Sequence, residues 1–174
     1  MKEEKLSSST VFEGRIFRVE VDEVLLPDGK KSKRECVRHP GGAAVLLVKE
    51  GKIALVKQFR YLYGKELYEI PAGKLEIGED ARFSALRELE EETGYRAESC
   101  AHLLDIYPTP GYTDEIIHIY YVDRARFVGQ HPDAGEFVDV EFVESGKVVK
   151  MIEEGEITDS KTICAVLSYI HLKK

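Results

Sequence analysis

Residues 73–95 read GKLEIGEDARFSALRELEEETGY, and this stretch decides the fold of the chain. Residues 79–93 contain no glycine or proline and are rich in alanine, leucine, arginine and glutamate, which favour a helix. Acidic residues open the run and Gly94 follows it, as expected where a glycine ends a helix. The sequence therefore predicts a helix over residues 79–93.

Three glutamates share one face of this predicted helix. With about 100° of rotation per residue, Glu88, Glu91 and Glu92 fall within an arc of roughly 100°. Leu86 and Leu89 point away from that arc toward a core, so we expect Glu92 on a solvent-facing surface. Like charges three or four residues apart repel by about 0.2–0.5 kcal/mol per pair, which calls for a cation. Several oxygen ligands suit Mg²⁺ or Mn²⁺.

A charged solvent face is the alternative interpretation of this helix, because exposed runs of charge are common. Arg87 lies about 40° from Glu91 on the helical wheel, so it could brace the carboxylates or form ordinary salt bridges. The preceding loop favours a functional site. Gly73 and Gly78 allow backbone groups to approach a metal or a phosphate closely before the helix begins.

The remainder of the chain predicts strands first and helices later. Apolar and polar residues alternate over residues 11–37 around Pro27-Asp28-Gly29, which indicates an antiparallel hairpin. Two apolar runs then predict strands of a central sheet, with a domain boundary near residues 39–42 that separates domains 1–40 and 41–174. The class is α+β with a mixed sheet. The predicted strands and later helices cover residues 43–48, 53–59, 103–107, 116–122, 137–142, 145–153 and 159–172.

Composition limits the possible partners and compartment. The chain has 174 residues, 43% of them hydrophobic, and a formal net charge of -7, which suits one compact domain with a short appended element and argues against nucleic-acid binding. The N-terminus lacks an apolar stretch, and the longest apolar run is too short to span a bilayer, so we expect no membrane association and a cytoplasmic protein. Three separated cysteines predict reduced thiols.

The helix and its loop also resemble a family signature. Gly73, Glu79 and residues 87–95, RELEEETGY, match every specified position of the Nudix box. A Nudix protein would have an α/β/α sandwich with a mixed sheet, here preceded by a small N-terminal antiparallel β element. The resemblance implies that Glu79 and Arg87 orient the loop and the helix, that Arg87 and Glu92 belong to the catalytic group, and that the metal ligands are Glu88, Glu91, Glu92 and the Ala72 carbonyl.

Residues outside the box resemble the ADP-ribose pyrophosphatase subfamily. The similar stretches are QFR at residues 58–60, YEIPAG at 68–73 and TPGYTDE at 109–115. In the hairpin, Phe17 would stack on adenine, although an aromatic residue in an alternating strand is also typical of a core. Arg34 and Glu35 would line the nucleotide pocket across a dimer interface. The other substrate contacts implied by the resemblance are Arg60, Thr109, Pro110, Gly111 and Glu115.

The chain departs from its relatives in the loop before the strand near Phe137. Relatives often have a densely acidic loop there, whereas residues 131–136 of this chain carry only Asp133 and Glu136 as acids. Glu136 is therefore the best candidate for the loop glutamate that, in the resembled subfamily, acts as general base or metal ligand.

The predicted reaction is hydrolysis of the diphosphate bond of ADP-ribose, or of a related nucleoside diphosphate sugar, to AMP and ribose 5-phosphate. Two or more Mg²⁺ ions, with Mn²⁺ as the alternative, would bind at each site. Two other functions stay open: a Nudix module that binds ADP-ribose without cleaving it, and a hydrolase of another nucleoside diphosphate derivative. We expect a homodimer, because a hairpin alone is only marginally stable in water and needs another surface, such as a partner subunit, to pack against it.

Overall fold

The computed structural model describes residues 1–133 and 135–172, which form two compact units. The first unit comprises Met1–Gly41 and Tyr107–Ile116. The second comprises Gly42–Ile106 and the chain from Ile117 onward. The division into domains 1–40 and 41–174 stays a prediction, since these units are defined by contacts alone.

The first unit contains a three-stranded antiparallel sheet in the order β1 (Glu4–Glu13), β2 (Arg18–Leu25) and β3 (Lys31–Arg38). Strands β2 and β3 form the predicted hairpin, whose turn uses Gly29 with a φ of +82°. The sequence does not predict β1, because its serines and charges lack apolar alternation. All residues of β1 are exposed, and pairing with β2 holds the strand in place.

The second unit contains the other strands and the α-helices of the described residues, and those predicted from the sequence are confirmed to within a few residues. In the described part of the chain, no helix combines the length and apolar character needed to span a bilayer. The strands are β4 (Gly42–Lys49), β5 (Lys52–Arg60), β6 (Lys65–Glu69), β7 (Ala72–Lys74), β8 (Tyr95–Arg96), β9 (Ala101–Ile106), β10 (Ile117–Val122), β11 (Arg126–Phe127) and β12 (Val138–Glu144), and the helices are α1 (Ala81–Thr93), α2 (Ser145–Glu153) and α3 (Ser160–Leu172).

The central sheet of this unit is mixed, as predicted. Its strand order is β12-β5-β4-β10-β9, with β6 paired to β5 and β7 paired to β4. Strands β10 and β4 run parallel, whereas the other pairs are antiparallel. Strand β7 therefore lies beside β4, immediately before the loop that leads into α1.

Strand β4 is buried on both faces, as the unbroken apolar run in its sequence predicts. Its odd-numbered residues pack with Leu89 of α1, and its even-numbered residues pack with Val148 of α2 and Val166 of α3. One layer of helix thus covers each side of the sheet. This arrangement confirms an α/β/α sandwich.

Candidate active site

Helix α1 carries the predicted metal-binding glutamates and is capped at both ends. The Asp80 carboxylate accepts a hydrogen bond from the Arg82 N–H at 2.9 Å, so the helix begins after Asp80 and not at residue 79. Gly94 ends the helix with a φ of +75°, as predicted. Glu79 therefore lies in the preceding loop, where its side chain can reach back to the helix.

Arg87 joins that loop to the acidic face of the helix. Its Nη1 donates to Glu88 Oε1 and to Glu91 Oε2, each at 2.8 Å. Its Nε donates to Glu79 Oε1 at 3.2 Å, and this pairing lowers the pKa of Glu79. The bracing contacts allowed by the helical wheel are thus present, and they fix the direction of two of the three clustered carboxylates.

The expectation that Glu92 faces solvent is wrong. Glu88 is 8% exposed and Glu92 is 4% exposed. Strand β7 covers this side of the helix, and the Ala72 N–H donates to Glu92 Oε2 at 3.0 Å. Burial raises the pKa of Glu88 to about 7 and the pKa of Glu92 to about 8. An ordinary solvated charge run is therefore excluded for these two residues.

Gly73 lies directly against one of these buried carboxylates. A Cβ atom built on Gly73 would lie 1.8 Å from Glu88 Oε1 and 2.0 Å from its Cδ. The φ of Gly73 is not positive, so turn geometry does not require a glycine here. The close approach of Glu88 leaves no room for a Cβ at this position unless the glutamate side chain moves.

The side chains described in residues 1–133 and 135–172 include no group of three or more His, Cys, Asp or Glu placed to hold a metal ion. Arg87 pairs with two of the predicted ligands, and a backbone N–H binds the third. The chemistry of the donors fits a hard divalent cation all the same. Buried carboxylates with raised pKa values gain from added positive charge, and oxygen is the ligand that Mg²⁺ prefers.

Glu136 lies on an exposed loop that is tied to the end of α1. The Gln130 side chain donates to the Glu92 carbonyl at 2.7 Å, which anchors the start of this loop. In addition to burial, the charge of Glu136 raises the pKa values of Glu88 and Glu92. The electrostatic influence of Glu136 thus reaches both buried carboxylates.

Arg60, a predicted substrate contact, is part of an ionic cluster that the sequence does not predict. Its Nε and Nη2 donate to the two carboxylate oxygens of Glu69 at 2.5 and 2.7 Å. Lys161 Nζ also lies 2.5 Å from Glu69 Oε2. The one sequence feature that could have indicated this cluster is a glutamate next to the apolar residue Ile70. A single lysine in the first turn of a helix is common and does not indicate a buried ion pair.

The predicted nucleotide contacts of the hairpin lie in the first unit. Phe17 is 40% exposed, so it is not a core residue, and its ring centroid lies 5.8 Å from that of Phe12. Arg34 donates from Nε and Nη2 to the Glu3 carboxylate at 3.0 and 2.6 Å. Glu35 is exposed. A ligand that used Arg34 would therefore compete with Glu3.

The predicted contacts of the proline-containing loop also lie in the first unit. The Thr109 carbonyl accepts the Thr113 N–H at 3.2 Å, which closes a turn. At the end of the loop, Glu115 Oε1 lies 3.5 Å from His39 Nδ1. Backbone bonds from Val37 of β3 hold the loop in place. The predicted contacts of this loop are Thr109, Pro110, Gly111 and Glu115.

Family models match nearly the whole chain. Residues 37–166 match the model of the NUDIX domain. Residues 3–37 match the model of the nucleoside diphosphate sugar hydrolase N-terminal domain.

Relatives and a solved structure agree with these matches. The ADP-ribose pyrophosphatase of Bacillus subtilis (strain 168) is 42% identical over 177 residues, which cover 100% of this chain and 95% of the relative. The methanol dehydrogenase activator of Bacillus methanolicus is 44% identical over 178 residues, which cover 99% of this chain and 95% of the relative. A crystal structure of an ADP compounds hydrolase has a TM-score of 0.86 at 20% identity, covers 99% of this chain and 94% of its own, and shows the same fold. This chain belongs to the Nudix hydrolase family.

Proposed function

We propose that this chain hydrolyses the diphosphate bond of ADP-ribose to give AMP and ribose 5-phosphate. The observation that carries the chemistry is the pair of buried glutamates, Glu88 and Glu92, packed against Gly73 within the family signature. The choice of substrate is supported by the relative named ADP-ribose pyrophosphatase, which matches this chain along its whole length at 42% identity.

In this proposal Glu88, Glu91, Glu92 and the Ala72 carbonyl would hold Mg²⁺, with Mn²⁺ as the alternative and two or more ions per site. Such ions neutralise a diphosphate and lower the pKa of a bound water. Arg87 uses one oxygen of Glu88 and one of Glu91, which leaves the second oxygen of each carboxylate for a cation. Arg87 thereby fixes the ligands without replacing the ion.

The remaining chemistry falls to side chains around the box. Glu136 takes a proton from the attacking water as the water oxygen bonds to phosphorus and the bond from phosphorus to the bridging oxygen breaks. Its exposed position on an anchored loop, with its charge acting on Glu88 and Glu92, supports this role. Arg60 binds the diphosphate through charge-assisted hydrogen bonds.

The predicted contacts of the hairpin belong to a nucleotide pocket that the family resemblance places across a dimer interface. Phe17 is exposed enough to stack on adenine, and Arg34 and Glu35 would line the same pocket. The resemblance also assigns substrate contacts to Thr109, Pro110, Gly111 and Glu115. To bind the ligand, Arg34 would have to give up its hydrogen bonds to the Glu3 carboxylate.

We propose a homodimer in which a second copy covers the first strand of the chain. Strand β1 is exposed along its whole length and carries Val11 and Phe12 at 61% and 51% exposure, with Ile16 at 55% just after it. Exposed apolar side chains that cluster into a patch mark an interaction surface. A strictly monomeric species in sedimentation at micromolar concentration would refute the dimer.

The cysteines support a cytoplasmic location. Cys36, Cys100 and Cys164 are all free thiols. Free thiols persist in the reducing cytoplasm, whereas small extracellular proteins rely on disulfides.

Steady-state turnover on a panel of substrates tests the proposed function. ADP-ribose, NADH, GDP-mannose and a nucleoside triphosphate are each assayed with Mg²⁺ and with EDTA. The expected result is the highest kcat/KM on ADP-ribose and no turnover in EDTA. A higher kcat/KM on another compound would transfer the assignment to that substrate, and calorimetric binding of ADP-ribose without cleavage would identify a binding module.

A further inference from the structure

A buried ionic cluster joins the end of β5, the end of β6 and the start of α3. Glu69 is 3% exposed and Lys161 is 8% exposed, and Lys161 Nζ lies 2.5 Å from Glu69 Oε2. Lys161 Nζ also lies 3.1 Å from Asp159 Oδ1, and Arg60 makes two hydrogen bonds to Glu69. Lysine and glutamate are almost never buried unless they are paired. Burying these charges carries a desolvation free energy that a pair of apolar residues would not incur.

The cluster lies close enough to the Nudix box to act on it electrostatically. Glu69 is the main cause of the raised pKa of Arg60, and Glu92 adds to that shift. Burial raises the pKa of Glu92, and the charge of Lys161 opposes that rise. Arg60 and Lys161 are therefore both close enough to Glu92 to interact with it electrostatically.

The geometry of Arg60 leaves part of its guanidinium free. Two of its three nitrogens donate to Glu69, which fixes the plane of the group. Within residues 1–133 and 135–172, the third nitrogen, Arg60 Nη1, makes no hydrogen bond, and the side chain is 41% exposed. An anion approaching Arg60 would meet a guanidinium that is already oriented.

The cluster of Arg60, Lys161, Glu69 and Asp159 contains two cations and two carboxylates, so it carries no net charge. Lys161 therefore acts on Arg60 through Glu69, whose carboxylate it binds from the buried side at 2.5 Å. The opposing effects on Glu69 agree with this: burial alone would raise its pKa, but hydrogen bonds from Arg60 and Lys161 lower it. Glu69 thus stays ionised and can hold Arg60 in place.

We propose that Glu69 and Lys161 are positioning residues for Arg60, Glu69 by fixing its guanidinium and Lys161 by holding the Glu69 carboxylate in place, so that Arg60 offers its free N–H groups to the substrate diphosphate. This inference rests on the proposed function, which gives Arg60 a diphosphate to bind. A purely structural Lys161 would instead serve only to attach α3 to the sheet.

Kinetics of Lys161→Met on ADP-ribose with Mg²⁺ test the role. A lost ground-state contact raises KM, so we expect KM to rise about tenfold while kcat changes less than about threefold. Lys57→Met is the matched control, because Lys57 pairs with Glu66 at 2.7 Å on the neighbouring surface of β5 and β6. The control should retain the KM and kcat of the unaltered protein, and Lys161→Arg should recover most of the loss.

A double-mutant cycle separates positioning from mere structure. In an Arg60→Ala background, Lys161→Met should change KM by less than about twofold, because its effect passes through Arg60. Thermal unfolding checks each variant, and Lys161→Gln replaces Lys161→Met if the latter does not fold. Equal effects in both backgrounds, or a KM like that of the control, would overturn the positioning role alone. An unaltered protein that does not cleave ADP-ribose would overturn the proposed function and, with it, this inference.

Discussion

The contact between Gly73 and Glu88 makes Gly73→Ala a sharp test of the site. The new methyl group would lie 1.8 Å from Glu88 Oε1 and 2.6 Å from Oε2. The carboxylate must move by about 1.5 Å to restore ordinary van der Waals contact. The atoms that must move are the far end of a flexible side chain, so the fold can absorb the change.

The expected result is therefore loss of function without loss of structure. Displacing a catalytic group by about 1 Å costs roughly 10²-fold in rate, so we expect kcat/KM on ADP-ribose to fall by about 10²-fold. The free energy of unfolding should change by less than about 1 kcal/mol, because no core contact is lost.

Steady-state turnover and chemical denaturation measure the two effects on the same sample. Gly146→Ala is the control, because a Cβ there meets no atom within 4 Å and Gly146 lies in α2, far along the chain from the box. The control should keep full activity. Activity of Gly73→Ala within about threefold of the unaltered protein would refute the reasoning, as would a loss explained by unfolding.

Three further substitutions give distinct outcomes. Glu92→Gln should fold normally, since burial already favours the neutral form, yet lose at least about 10³-fold in kcat; an active variant would remove Glu92 from the metal ligands. Glu136→Gln should lower kcat by roughly 10²–10⁴-fold with little change in KM, and a loss below about threefold would move the base to Asp133 or to the box glutamates. Glu69→Gln should destabilise the protein at pH 7 and much less under acid conditions. The folded-state pKa of Glu69 is lowered from 4.5, so its stabilising effect is present above that pH and is lost as the pH falls; denaturation that shows a pH-independent difference would contradict this.

The sequence alone predicts those structural features that are determined by residues close together in the chain. The cap at Gly94, the helix that it ends and the apolar run of β4 all arise from local propensity and periodicity, and the structure confirms them. The contacts of Arg87 with Glu88 and Glu91 likewise follow from helical spacing alone.

Features that depend on long-range contact escape prediction. Burial of Glu92 requires β7 to lie over the helix, and the pattern of charges in the helix cannot show that cover. Strand β1 forms through pairing with β2, which its own polar sequence does not suggest. The bond between Glu69 and Lys161 joins residues 92 positions apart, so no local spacing could indicate it.

Phosphorus NMR of ADP-ribose mixed with the protein and Mg²⁺ tests the central claim most directly. The account predicts that the two diphosphate resonances are replaced by two phosphomonoester resonances, those of AMP and ribose 5-phosphate. The same mixture with EDTA, or with Glu92→Gln in place of the unaltered protein, should keep the diphosphate signals. Diphosphate resonances that persist with the unaltered protein and Mg²⁺ would contradict the account.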